Sequence, residues 1–131
     1  MTIDRLRIWR HLRIEKDNQL AAIQRLESEM ERVTARYMAA GSGSGNADSS
    51  KIPAQIARLE ELKDKHLALI VELETVEAEI DEWRIKLPPE ERMLIDLRYK
   101  YCKSWTQIAL KLHYSRRAVF YLHQRALNRN I

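Results

Sequence analysis

The stretch SWTQIALKLHYSRRAVFYLHQRAL, residues 104–127, determines how the last third of the chain folds. Its opening, Ser104 to Gln107, has the S-x-x-Q form of a capping box, so a helix is predicted to begin at Trp105. The chain is expected to turn at His113–Tyr114, after which Ser115 can cap a further helix. The apolar positions of that further helix are Val119, Leu122 and Ala126.

The spacing within this stretch matches a 20-residue helix-turn-helix unit that starts at Trp105. The small residue needed where two helices cross falls on Ala109, and the turn position that needs a positive φ holds His113. Histidine is one of the less costly residues there after glycine. The predicted core positions are Ile108, Leu112, Tyr114, Val119 and Leu122. A purely buried helical hairpin would explain these apolar positions equally well.

The other face of the second helix favours nucleic acid. Arginines at the start of such a helix can reach base edges in a major groove, and aromatic side chains can contact thymine methyls. The predicted base-reading residues are Arg116, Arg117, Phe120, Tyr121 and Gln124. Side chains around the unit can contact phosphates. These are Lys100, Lys103, Ser104, Thr106, Lys111, Ser115 and Arg125. The alternative is a basic surface with no ligand.

Charge is distributed unevenly along the 131 residues, whose net charge is +4. Residues 88–131 carry nine Lys/Arg and three Asp/Glu, whereas residues 51–87 carry six and nine. A polyanionic partner is therefore expected to meet the last third of the chain.

Residues 1–87 are predicted to form two long helices, 3–38 and 52–87, joined by a flexible linker at 39–51. The linker alternates glycine with serine, and its origin as a natural or an engineered segment stays open. Each helix carries an apolar stripe with steps of three and four residues. Two equal helices with a short link favour an antiparallel hairpin, or coiled coil.

Charges support that pairing. With a turn near residue 45, position i faces roughly position 90 − i, which places Arg13 near Glu77 and Glu27 near Lys63. Unrelated solvated charges are the alternative. The apolar stripe of helix 52–87 is wider than one seam, so the hairpin is expected to self-associate as a homodimer. The predicted oligomerisation residues are Ile56, Leu59, Leu62, Leu69, Ile70, Leu73, Val76 and Ile80.

Between the hairpin and residue 104, Pro88–Pro89 are expected to stop the second helix. A short amphipathic helix should follow, with Glu90 and Glu91 at its positive N-terminal end. Its predicted inward row is Met93, Leu94, Leu97 and Tyr101.

Several classes of function are disfavoured. The chain lacks an apolar run long enough to span a membrane and has no signal-peptide pattern. A single cysteine, Cys102, is typical of a reducing cytoplasm. No phosphate-binding loop or catalytic constellation is evident, so neither an enzyme nor a cofactor is expected. Cys102, His113 and His123 are the only candidate metal cluster, and their spacing fits no common zinc pattern.

Residues 87–127, LPPEERMLIDLRYKYCKSWTQIALKLHYSRRAVFYLHQRAL, resemble region four of sigma-70-type transcription factors, which reads the −35 promoter element. Cys102 and His113 stand where that pattern prefers glycine. A coiled-coil hairpin before such a module is similar to the small prophage proteins of the RinA/ArpU type. The resemblance implies a phage or prophage transcription regulator in the cytoplasm of a bacterial host.

The sequence thus predicts an all-α protein, with a helical hairpin at 1–87 and a three-helix DNA-binding module at 88–131. The expected function is sequence-specific regulation of transcription, with double-stranded DNA as partner. Two alternatives remain: a DNA-packaging protein resembling a small terminase, and an adaptor that contacts RNA polymerase.

Overall fold

The computed structural model describes residues 1–40 and 51–131, which are helical throughout apart from short connections. Five α-helices and one π-helical turn at Asp96–Lys100 follow each other in these two ranges. The helices are α1 (Ile3–Ala40), α2 (Lys51–Arg84), α3 (Pro89–Ile95), α4 (Trp105–Leu112) and α5 (Arg116–Leu127). The predicted all-α class and the long N-terminal helix pair are confirmed. Most of the predicted linker, residues 41–50, lies outside the described residues.

Neither described range contains a helix with the length and hydropathy needed to cross a membrane.

Helix α2 ends three residues before the predicted position 87. Leu87 precedes Pro88, and a residue before proline is sterically pushed out of the helical region. The backbone N–H groups of Lys86 and Leu87 instead bond to carbonyls three residues back, at 3.1 Å each. The regular α-helix therefore ends at Arg84, about one turn before Pro88.

The chain divides into two compact units, and the first contains residues 1–15 and 71–131. The start of α1 and the C-terminal segment therefore belong to the same unit. A hydrogen bond connects them, because the Arg13 Nε donates to the Lys100 carbonyl oxygen at 2.8 Å. The Arg84 guanidinium reaches both carboxylate oxygens of Asp96 at 3.0 Å. The largest fully buried side chains of this unit are Leu6, Trp9, Ile80, Glu91, Leu94, Ile95, Ile108 and Val119. The predicted boundary at residue 88 lies inside this unit.

The second compact unit, Lys16–Ile70, contains the rest of the two long helices. Ile23 and Val33 are buried apolar residues of this unit. Gln19 Oε1 lies 3.0 Å from His66 Nδ1, and the Lys63 ammonium lies 3.9 Å from a Glu27 oxygen. Lys63 with Glu27 is a pair that the predicted register contains. Such exposed pairs contribute only about 0–1 kcal/mol each to stability.

The predicted inward row of the short helix is wrong at two positions. Met93 and Tyr101 are 51% and 57% exposed, whereas Tyr99 is buried. Met93 precedes the π-helical turn and lies on the exposed side of α3. At Tyr101 the cause is the π-helical turn, which is closed by a bond from the Tyr101 N–H to the Asp96 carbonyl at 2.9 Å. Its five-residue spacing rotates later residues away from the α-helical register.

Helices α4 and α5 begin where the sequence predicts. Both bonds of the capping box join Ser104 and Gln107, at 3.2 and 2.9 Å, and Ser115 accepts a bond from the Ala118 N–H at 3.1 Å. His113 adopts the left-handed conformation, with φ of 59°. The predicted core residue Tyr114 is instead exposed, because its hydroxyl group reaches Glu90 at the surface.

Candidate nucleic-acid interface

The exposed face of α5 carries all five predicted base-reading residues. Arg116, Arg117, Phe120, Tyr121 and Gln124 are each exposed, with Tyr121 at 66%. Their spacing of one, four, five and eight residues from Arg116 places them along one side of the helix. The opposite side is buried, so the backbone beneath these side chains is fixed by the core.

Aromatic contacts order this face. The Trp105 ring meets the Phe120 ring edge to face, with centroids 5.1 Å apart, and the Arg116 guanidinium lies 5.9 Å from the Phe120 centroid. At the other end of α5, the Arg125 guanidinium lies 5.8 Å from the Tyr121 ring. Cation–π contacts at exposed sites are worth about 0.5–1 kcal/mol, which biases the arginines without immobilising them.

The predicted phosphate contacts lie just before α4, within α4, at the cap of α5 and, for Arg125, in the last turn of α5. Six of the seven are exposed: Lys103, Ser104, Thr106, Lys111, Ser115 and Arg125. Lys100 is half-buried, with its ammonium 5.8 Å from the Tyr101 ring. Although the two serine oxygens accept capping bonds, each hydroxyl hydrogen is left to donate to an anion.

A buried aromatic cluster that the sequence did not predict supports α5 from below. The Tyr99 hydroxyl lies 2.6 Å from His123 Nε2, and the Trp105 ring meets the His123 ring edge to face at 5.0 Å. Burial, followed by the charges of Arg98 and Arg7, lowers the pKa of His123 to about 4. The signal was present in the sequence, because His123 sits beside Leu122 and four residues after Val119, on the apolar side.

In the described ranges, no group of three or more His, Cys, Asp and Glu side chains is placed so that it could hold a metal ion. Cys102 is half-buried, and its sulfur lies 3.8 Å from the Tyr99 carbonyl oxygen. Its φ of 56° lies in the left-handed region, a conformation that glycine adopts more readily than other residues.

A buried carboxylate ties α3 to the end of α5. Glu91 is fully buried, and its two oxygens accept bonds from Arg129 Nε at 3.0 and 2.8 Å. Arg125 lies farther away, at 3.5 Å. The sequence predicted only that Glu91 lies at the positive N-terminal end of a short helix. Its partner lies 38 residues away, so no local pattern could reveal the pair.

The family described as Protein of unknown function (DUF722) matches residues 15–127. The chain belongs to the DUF722 family. No curated protein and no solved structure matches it. The DUF722 description names no activity.

The predicted oligomerisation residues of this DUF722 member divide by burial. Leu73, Val76 and Ile80 are buried within the single chain, so they are not available to a partner. Half-buried residues are Leu59, Leu62, Leu69 and Ile70. Ile56 is 45% exposed, and Leu67, which was not among the predicted residues, is 63% exposed. Eleven residues separate these two, about three helical turns, so they share one side of α2.

Proposed function

We propose that this DUF722 protein is a sequence-specific DNA-binding transcription regulator, which reads the major groove with α5. The observation that carries the proposal is the exposed side of α5. Two arginines at its start, two aromatic residues and Gln124 lie together there. Arginine pairs with guanine and glutamine pairs with adenine in direct readout. At 12 residues, about 18 Å, α5 is long enough to cross the groove.

The connection between α4 and α5 supports a helix-turn-helix. Each helix has a serine cap, His113 makes the left-handed turn, and Ala109 is buried. A small residue lets two helices approach closely at their crossing. In a helix-turn-helix, the second helix enters the groove while the first crosses the backbone. The exposed residues at the start of α4 are suited to that backbone contact.

Charge supports the same proposal. The nine Lys/Arg of residues 88–131 outnumber the three Asp/Glu, and two of those acids, Glu91 and Asp96, are paired with arginines. The surface around α5 is therefore left with uncompensated positive charge. Such a surface attracts DNA at long range and releases counterions on binding.

We further propose that α1 and α2 form an antiparallel hairpin. In one unit Gln19 meets His66 and Glu27 meets Lys63, and in the other Arg5 meets Glu79 and Arg13 meets Glu77. As residue numbers rise along α1, they fall along α2, as antiparallel helices require. The exposed apolar residues Ile56 and Leu67 support self-association of this hairpin into a homodimer, which would hold two DNA-binding units at a fixed spacing.

An adaptor for RNA polymerase is a second candidate, and one observation favours it. Four apolar or aromatic residues and two charged ones line a shallow hollow on the surface of α3 and the π-helical turn: Pro89, Met93, Leu97 and Tyr101, with Arg92 and Asp96. Exposed apolar residues around a hollow are typical of a protein-binding surface. An adaptor of this kind would bind DNA weakly and without sequence preference.

The test is selection of bound duplexes from a random-sequence library by the full-length chain. A regulator should enrich one motif, which would then give a compact footprint near a promoter in the phage or prophage genome. Protection confined to packaging sites would favour the packaging alternative. Recovery of random sequences after several rounds would contradict sequence-specific regulation.

The phosphate contacts give a prediction on random duplex. Lys103→Ala and Lys111→Ala should each weaken binding on all sequences, because each removes an exposed cation beside α4. The slope of log K against log salt should become shallower by about 0.9 for each phosphate that is no longer neutralised. Binding isotherms at several KCl concentrations measure the slope. Lys65→Ala, on α2, is the matched control and should leave it unchanged. Unaltered slopes for both variants at α4 would show that these lysines do not touch DNA.

A further inference from the structure

A hollow outside the face of α5 joins the start of α1 to the segment before α4. Arg7, Arg10 and His11 line it from α1, and Arg98, Tyr99 and Trp105 line it from the other side. All of these residues belong to the first compact unit. We call it the arginine hollow. No carboxylate is among the described residues that line it.

The three arginines are poorly neutralised. The Arg7 guanidinium lies 3.9 Å from an Asp4 oxygen, and both side chains are largely exposed to solvent. Arg98 donates to the Lys103 carbonyl oxygen at 3.1 Å, which is not a charged partner. The Nε of Arg10 is buried and has no hydrogen-bond partner in the part of the chain that the structure describes. A buried donor without a partner is costly.

Electrostatics within the hollow point the same way. Burial, followed by the charge of Arg10, lowers the pKa of Arg98, and Arg7 acts in the same direction. Like charges thus oppose one another across the hollow, although guanidinium groups stay protonated at neutral pH. A bound oxyanion removes this repulsion and accepts several N–H donors at once.

The arginine hollow adjoins the proposed DNA-reading face. The Arg98 guanidinium stacks on the Trp105 ring at 4.4 Å, and Trp105 in turn contacts Phe120 of α5. One aromatic ring therefore forms part of the hollow and also supports a base-reading residue. A phosphate group held by the hollow would lie beside the groove that α5 enters.

We propose that the arginine hollow binds the oxyanion of a phosphate group, with Arg7 and Arg10 of α1 as ligands in addition to the helix-turn-helix. Where the phosphate belongs to the DNA backbone, the inference rests on the proposed function, and α1 then takes part in DNA binding. A free phosphate ion offers the same chemistry, so the two sources are separated by experiment.

The first experiment needs no DNA. The Nε–Hε resonance of Arg10 is followed by NMR in the full-length chain while inorganic phosphate is added, with chloride at equal ionic strength as the reference. We expect a saturable shift with phosphate and none with chloride. Arg7→Ala should weaken the binding, whereas Arg25→Ala, at an exposed arginine elsewhere on α1, should leave it unchanged. Arg7 is largely exposed, so its removal should not disturb folding.

The second experiment measures binding of a random duplex over a range of KCl concentrations for the same variants. If the DNA backbone supplies the phosphate, Arg7→Ala weakens binding and makes the salt slope shallower by about 0.9, while Arg25→Ala does neither. If the source is a free ion, the slope stays constant while the NMR shift remains saturable.

Absence of both effects would overturn the site. The sequence preference of α5 is a separate readout, measured on selected against random duplexes. A protein that lacks that preference but keeps the phosphate response of Arg10 would refute the proposed function and leave the arginine hollow standing.

Discussion

His123 is a titratable side chain that the fold uses as an uncharged core residue. It is buried on the inner side of α5, where it contacts the Tyr99 hydroxyl and the Trp105 ring. Burial, together with nearby arginines, lowers its pKa from 6.5 to about 4. Since Trp105 also contacts Phe120, the packing of this histidine influences the position of a side chain that is proposed to read bases.

Stability should therefore depend on pH through His123. Between pH 6.5 and about 4 the unfolded chain holds a proton on this residue that the native chain does not. The free energy of unfolding should fall as pH is lowered through that window, by up to about 1.4 kcal/mol per pH unit. Urea unfolding at pH 7 and pH 5 tests this. The wild type should lose about 2 kcal/mol more than His123→Phe, because the unfolded pKa lies about 1.5 units above pH 5.

His11→Gln, at an exposed histidine, serves as the control. Its free energy of unfolding should fall between pH 7 and pH 5 by the same amount as that of the wild type. Equal losses for wild-type and His123→Phe chains would show that His123 titrates normally in the native state.

At the scale of single residues, the sequence predicted the features that depend on neighbouring residues in the chain. His113 was expected to take a positive φ because the turn requires one, and its φ is 59°. The serine caps follow from equally local chemistry. The burial of His123 depends on Tyr99, 24 residues earlier in the chain, so periodicity could indicate only its side of the helix.

Among the elements, α5 depends on an ion pair that anchors its C-terminal end. Glu91 of α3 is fully buried and bonded to Arg129, while Arg125 makes one longer contact. A buried carboxylate whose cation is removed keeps its desolvation cost, so the pair is sensitive to replacement of the arginine.

Arg129→Gln should lower the free energy of unfolding by about 2 kcal/mol, since it removes the short bonds to a buried charge. Arg125→Gln, the matched control, should cost less than about 1 kcal/mol because that side chain is more exposed. Chemical denaturation at pH 7 measures both. An equal decrease in the free energy of unfolding for the two variants would show that Arg129 stabilises the buried Glu91 no more than Arg125 does.

Element boundaries were predictable where serine caps control them, as at Trp105 and Arg116. The π-helical turn at Asp96–Lys100 was not, because α-helical periodicity presupposes the register that the turn changes. Leu94 and Ile95 are both buried before it and Tyr99 within it. The predicted row therefore failed at Tyr101, which follows the turn, while the apolar character of the segment was correct. Met93 precedes the turn and lies on the exposed side of α3.

In the molecule as a whole, the C-terminal module has a core in common with the ends of the long helices. Leu6 and Trp9 of α1 are fully buried in the same compact unit as Ile108 and Val119. A segment as short as residues 88–131 can bury little apolar surface alone, so this sharing has a physical reason. The sequence indicated the long helices and the C-terminal module. It did not indicate their common core, because the residues that meet in that core are far apart along the chain.

Self-association is predicted from the open side of α2. Light scattering at micromolar concentration should give about twice the 15.5 kDa chain mass. The double variant Ile56→Glu with Leu67→Glu should be monomeric, because it places charges on the exposed apolar residues. Leu110→Glu, at an exposed leucine of α4, should remain dimeric. A wild-type monomer that still binds its site tightly would rule out the dimer.

The proposed function requires α5 to read base sequence through Arg116 and Arg117. The decisive measurement compares the Kd for a selected duplex with the Kd for a random duplex, in wild type, Arg116→Ala and Arg117→Ala at one fixed salt concentration. Each arginine that contacts a base should contribute about 1–3 kcal/mol of discrimination, so each variant should lose far more affinity for the selected duplex. Equal reductions on both duplexes would contradict base reading and place these arginines on the phosphate backbone.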